Sequence, residues 1–560
     1  MPPNELVVVH ECDPEPSDLH LIKLAAFMGV PVRGVSLSPT ADGQGREILQ
    51  VMRRGGCVAV SASTLRQCLS RSSLLDMLQS MAVESAMKLF VHGFRHGASD
   101  SELIRDLSGG AFSSVGQLGA RINRYCVSRR PRSFCQEFCG LTFGTADRGN
   151  DSVFQRNKYG GRTVDLIRIS GDTFLAGVQN GASFIVLSGT REILDIDAAI
   201  APGVRPLEWF SRLVPALMFL RDAFGDRCWQ PGKKLACLIL DDPLLRSRYG
   251  FLRYDCLLEA MERSNFATSL AFVPWNYNRS YRSTAELFLR HPKRFSLSIH
   301  GCDHTKKEFG GVDEVLLSRK AMIARKRMER HQELTGVPFD NVMIFPQGVF
   351  SSAALKALKT TGYVAAVNST PFPVGGSSDP LRVRDLLAPA ITRYSDFPLF
   401  IRHYPNCIAE FALDLFLGKP ALIVEHHDYF RNGYDRIQTF VEQINRLSDS
   451  VTWCGLEDVV RTTCLKRQGD DGSFDVQFYH NHPSIVDAGT GDKQSLPREN
   501  LPVRLDFPTV NGDSDLQLGS APYRIGVSVR RYLCEFRDNY LSRSRAAVSM
   551  LNTLKSKLTN

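Results

Sequence analysis

The sequence predicts an α/β protein in three parts. These are an N-terminal doubly wound α/β domain over residues 1–229, a (β/α) barrel over 230–465 and a small β-rich module over 466–560. Three observations predict it. Short, wholly apolar runs alternate with amphipathic helical stretches through the first two parts, the pattern of parallel sheets covered by helices. Trp229-Gln230-Pro231-Gly232 punctuates the chain directly before a strong new strand. Beyond residue 466, helical periodicity gives way to short alternating segments. A chain of 560 residues is also too long for a single core.

In the first part, residues 6–9 form a buried strand and 17–28 a helix with Leu19, Ile22, Leu24, Ala25 and Phe27 as its apolar residues. Strands follow over 32–37, 56–61, 87–91 and 182–188. There is no GxGxxG phosphate loop and no nucleophile elbow, and Cys57 begins a strand rather than ending one. The topology resembles flavodoxin-like or amidotransferase-like domains, and a non-catalytic role is expected. In the second part, strands over 235–240, 267–273, 295–299, 342–345, 364–367 and 422–425 alternate with helices such as 316–333 and 351–360, which is barrel grammar. In the third, the Asp470 to Ser473 turn precedes an alternating strand over 474–479. Further β segments lie near 501–505, and a closing helix is predicted over 527–557.

Composition excludes several classes. With 43% hydrophobic and 23% charged residues the chain is neither fibrous nor disordered. No window approaches the apolar length of a membrane span, and the start lacks a basic, apolar secretory leader, so a cytoplasmic location is expected. Fourteen scattered cysteines, many in apolar runs, are expected to be reduced. Cys135 and Cys139 lie one turn apart, with no second pair to complete a zinc ribbon. The net charge of +9 is spread along the chain without interleaved aromatics, so nucleic acid is not an expected partner.

The chemistry is concentrated at predicted strand ends. Strand 235–240 runs into Asp241-Asp242-Pro243, and two carboxylates after an apolar strand are costly unless something there uses them. An Asp before Pro is also a good helix start. Strand 295–299 ends in His300-Gly301-Cys302-Asp303-His304, whose two imidazoles, with a carboxylate, suit a divalent ion. Strand 342–345 leads into Pro346-Gln347-Gly348, a wall of the site or an ordinary turn. The last strand ends at His426-His427-Asp428, where alternation admits only one histidine to the site.

In this order and spacing, the Asp-Asp, His-x-x-x-His, Pro-x-Gly and late strand-end His motifs resemble the polysaccharide deacetylases of the carbohydrate esterase 4 type. The resemblance covers 230–465 and implies a distorted (β/α)7 barrel. By position it implies Asp241 as catalytic base, Asp242, His300 and His304 as ligands of a divalent metal, Zn2+ by the resemblance, and His426 or His427 as general acid. Pro346, Gly348 and Arg402 would line the substrate, an N-acetylated sugar or oligosaccharide. The sequence departs from the family at two points: Ile344 stands where an arginine orients the catalytic aspartate, and Ile239 stands where a Thr or Ser precedes the paired aspartates. No late tryptophan motif is evident, though Arg393 or Arg402 can approach from the preceding loop. The departure at Ile344 motivates a rival reading, a catalytically impaired carbohydrate-binding or scaffold protein that keeps the barrel. Glycosidic hydrolysis through Asp241 with Glu425 or Asp428 would leave the metal ligands unexplained. Oligomeric state is not predicted.

Overall fold

A computed structural model of the protein describes residues 3–481 apart from residue 4 and the stretches 38–49, 51–56, 84–86, 119–122, 146–150, 158–162, 377–378 and 470–471. The β segments expected near 501–505 and the helix expected over 527–557 lie outside the described residues.

The N-terminal part is built on an eleven-stranded sheet. Five of its strands are parallel: β1 (Leu6–His10), β2 (Val32–Ser36), β3 (Cys57–Ser61), β4 (Lys88–His92) and β5 (Ser183–Ser188), in the order β2-β1-β3-β4-β5. Period two explains their composition. Leu6, Val8, Cys57 and Ala59 enter one core, and Val7, Val9, Val58 and Val60 enter the other, so both faces are covered. The remainder of the sheet is not the parallel layer expected of a doubly wound domain. β5 pairs antiparallel with Asp172–Asn180, which pairs antiparallel with Thr163–Ile169. The turns decide this. Ser170 and Gly171 both take positive φ (53° and 104°), a two-residue hairpin turn that leaves no room for a crossover helix.

The second sheet curls. Seven of its eight strands are β6 (Lys234–Asp241), β7 (Thr268–Phe272), β8 (Phe295–His300), β9 (Asp340–Ile344), β10 (Ala365–Asn368), β11 (Leu399–Ile401) and β12 (Ala421–Glu425), all parallel in the order β11-β10-β9-β8-β7-β6-β12, and the eighth, Val451–Trp453, pairs parallel with the start of β6. A parallel bridge between His403, just past β11, and Ile423 of β12 ties the two outer strands together. Leu235, Cys237, Ile239, Val342, Ile344, Phe400 and Leu422 share the interior core, while Ala236, Leu238, Leu240 and Ile423 face the surrounding helices. Extending that alternation past the strand ends points Asp241, Arg402 and His426 inward.

Neither expected boundary is a loose linker. Trp229 donates its backbone N–H to Met28, Arg467 lies over its ring, and Gln230–Pro231 pairs with Cys464–Gln468. That strand, which spans 465/466, pairs in turn with Phe474–Phe478. One hydrophobic core runs from the N-terminal part into the barrel. Phe138 meets Phe416 of helix Ile408–Leu417 edge-on at 5.5 Å there. The described cysteines are all free thiols. No helix among the described residues is long and apolar enough to cross a membrane.

Candidate metal centre and active site

The site lies where β6, β8, β11 and β12 end. β6 delivers Asp241 inward, and the chain then turns through a left-handed residue, Asp242 at φ 69°. A non-glycine residue in that region carries backbone strain, and such strain clusters where a site needs a particular geometry. The turn swings the Asp242 carboxylate towards β8 instead of out towards the helices. Its Oδ1 lies 3.4 Å from His300 Nε2 and 3.0 Å from His304 Nε2. His304 is also left-handed, at φ 56°.

His300 is fully buried. Its Nδ1 lies 3.1 Å from the Ile344 carbonyl oxygen. A carbonyl only accepts, so Nδ1 carries the proton and the neutral ring presents the Nε2 lone pair to Asp242. A lone pair facing a carboxylate needs a cation, either a second proton or a metal ion. The three donor atoms lie within 4.8 Å of one another. Donors around a tetrahedral ion bound at about 2.0–2.2 Å stand about 3.3–3.6 Å apart, so this donor set fits a divalent ion. Burial pushes the Asp242 carboxyl up, but once His300 takes that second proton its hydrogen bond and positive charge, with His304 beyond it, hold the carboxyl well below the usual range.

Asp241 stands beside this cluster, buried, with both oxygens gripped by Arg402: Nη1 donates to Oδ1 and Nη2 to Oδ2, each at 2.6 Å. Arg402 also donates from Nε to Ser369 Oγ at 3.3 Å, and its backbone N–H bonds to Asn368. Burial alone would raise the Asp241 pKa, but Arg402 and His300 outweigh it and keep the group ionised. Arg402 therefore spends its fork on Asp241, supplying the contact that Ile344, an apolar interior residue, lacks. Arg393 does not reach the site, since it pairs with Asp379 and Asp385.

The paired histidines separate as alternation requires. His426 is 44% exposed at its side chain, with Nε2 4.0 Å from Asp241 Oδ2. His427 turns away, edge-on to Tyr249 at 5.2 Å and stacked on Phe251 at 6.3 Å. Gly250, at φ 56°, leaves room for that ring, which a Cβ there would strike. Pro346 packs against Gly301 beside His300. Gly348 closes the turn with φ 67°, its carbonyl accepting from Asn368 Nδ2 at 3.0 Å.

Sequence reasoning missed the Arg402–Asp241 pair, Ser369, and the buried residues Glu308 and Arg327 beneath the His300–His304 loop. Only Arg402 left a signal: it follows the apolar run Leu399-Phe400-Ile401 at inward parity with Phe400. Glu308 and Arg327 left none, being charged residues in polar surroundings.

No family model matches the chain, and no curated protein matches it. Among solved structures, it is similar to Agd3, described as a novel carbohydrate deacetylase. There the identity is 10% and the TM-score 0.49, over 84% of this chain and 90% of that one. It is also similar to a protein of Mycobacterium smegmatis described as a "putative polysaccharide deacetylase" (15% identity, TM-score 0.28, 41% of this chain and 90% of that one). A third similarity is to the T48 deacetylase with substrate (13% identity, TM-score 0.25, 42% and 94%).

Proposed function

We propose that this chain is a metal-dependent hydrolase that removes the acetyl group from an N-acetylated sugar or glycan. The observation that carries the reading is the convergence of Asp242, His300 and His304 on one point beside a buried Asp241 clamped by Arg402.

Asp242, His300 and His304 would hold the ion, Zn2+ by their nitrogen and oxygen donors. When bound, it would polarise the acetamide carbonyl and acidify a water molecule. The chain's own groups do the rest. Asp241, ionised and fixed by two hydrogen bonds, accepts the proton from the attacking water. His426, on the open side of Asp241, gives a proton to the departing amine nitrogen. One C–O bond forms and the C–N bond breaks, leaving acetate and a free amino sugar. The Pro346–Gly348 turn walls the site beside His300, and Arg402 acts through Asp241 rather than on the substrate.

The rival reading, a binding or scaffold protein, rested on Ile344 in place of an arginine. The Arg402–Asp241 pair answers that observation from a different strand. The test is acetate release from N-acetylated oligosaccharides by the zinc-loaded chain, repeated with Asp242→Ala. Release that Asp242→Ala abolishes is expected. Release unchanged in the variant, or absent from the loaded wild type across acetylated glycans, overturns the reading.

A further inference from the structure

Cys302, Asp303 and Glu308 form a second tight group of potential ligands. Its donors are already engaged, and the way they are engaged is informative. Three successive backbone N–H groups donate to the one Glu308 carboxylate: Cys302 to Oε2 at 2.9 Å, Asp303 to Oε1 at 2.7 Å and His304 to Oε2 at 3.2 Å. Glu308 is 4% exposed. The Asp303 side chain points the other way, taking Arg327 Nη1 at 2.5 Å. Arg327 also donates to the Cys302 carbonyl at 3.3 Å and lies over the Trp275 ring at 5.0 Å. With both Glu308 oxygens taken by amides and Asp303 Oδ1 by a guanidinium, this group serves to hold a loop.

The loop it holds carries His304. The chain doubles back to bring Glu308 under it, with Gly301, His304 and Lys307 all left-handed (φ 62°, 56° and 54°). A Cβ on Gly301 would strike the Glu308 carboxylate and Pro346, so the glycine leaves the space the carboxylate occupies. A buried carboxylate accepting several amide hydrogens is a strong, charge-assisted clamp, and it leaves no buried amide unpaired.

We infer that Glu308 is a positioning residue: by binding the amides of 302–304 it fixes the strained turn that aims His304 at Asp242. Three amides must give up their acceptor if it is lost, and the left-handed His304 is then free to relax. This rests on the proposal that Asp242, His300 and His304 hold a divalent ion. Outer partners of ligands tune affinity by about 10–100-fold.

The test is titration of the full chain with Co2+, which reports ligand geometry through its visible absorption bands, alongside thermal melting of the metal-free chain. Glu308→Gln keeps the size but turns an NH2 group towards amide donors. About 10–100-fold weaker Co2+ binding with shifted bands is expected, and partial recovery in Glu308→Asp, which retains the charge. A wild type that binds Co2+ with a Glu308→Gln variant of equal affinity and spectrum overturns this inference alone, even if melting falls. A wild type that binds no Co2+ overturns the ion site and the inference together. If Glu308→Gln does not fold, Glu308→Asp decides on the same two readings.

Discussion

Arg402 and Asp241 form a buried, bidentate ion pair, with both guanidinium-to-carboxylate distances at 2.6 Å. Asp241 ends β6 and Arg402 directly follows β11, while β12 pairs with β6 and is bridged at Ile423 to His403. The bridge that joins His403 to Ile423 lies one residue beyond Arg402.

Arg402→Lys should lower turnover by about 10–100-fold while the ion is retained, because one ammonium cannot reproduce a two-pronged contact. Arg402→Ala should also lose about 3–5 kcal/mol of stability, since it leaves Asp241 buried without a partner. Steady-state kinetics, metal content and denaturant unfolding check both. Wild-type turnover in Arg402→Lys would show that the pair is merely structural.

The adjacent histidines should behave oppositely. His426→Ala is expected to cost at least about 10²-fold in turnover, the lower range for a lost general acid. His427→Ala should leave turnover within a few-fold and cost about 2 kcal/mol of stability, as it empties the space between Tyr249 and Phe251. Paired kinetics and unfolding measurements decide this. Reversed effects would exchange the two roles.

Acid should destabilise the fold through His331. This ring is fully buried beside Phe272 at 4.9 Å and hydrogen-bonds Ser280, and burial lowers its pKa to about 4. The unfolded chain, titrating near the ordinary value of about 6.5, binds more protons between those limits. The contribution is thus fully present above pH 6.5 and is lost as pH falls towards 4, up to about 3 kcal/mol. His331→Gln should remove that share of the difference in unfolding free energy between pH 7 and pH 4.5. An equal difference in the variant would place the acid sensitivity elsewhere.

Much of the site was legible because its residues follow long apolar strands. Asp241 and Asp242 end β6 and His300 ends β8, so position and chemistry coincide in one short reading window. Alternation along β12 showed that only one of His426 and His427 enters the site, and left open which of the two it is. The Arg402 pairing was hidden because β11 has three residues and its meaning depends on closure of the sheet. Glu308 was hidden because its partners are backbone amides, which leave no trace in side-chain pattern. In the N-terminal part the buried parallel strands were plain, whereas the antiparallel ones, such as Thr163–Ile169, interrupt their apolar residues with Asp165 and Arg168 and were not among the strands predicted. Ser170-Gly171 and Asn180-Gly181 were the turn signals that could have exposed them.

The most direct test of the account is crystallographic: the anomalous signal of the zinc-loaded chain. One ion per chain is expected, within about 2.0–2.2 Å of an Asp242 carboxylate oxygen, His300 Nε2 and His304 Nε2. An ion bound elsewhere, or density at that point lacking any one of the three as a ligand, would contradict it.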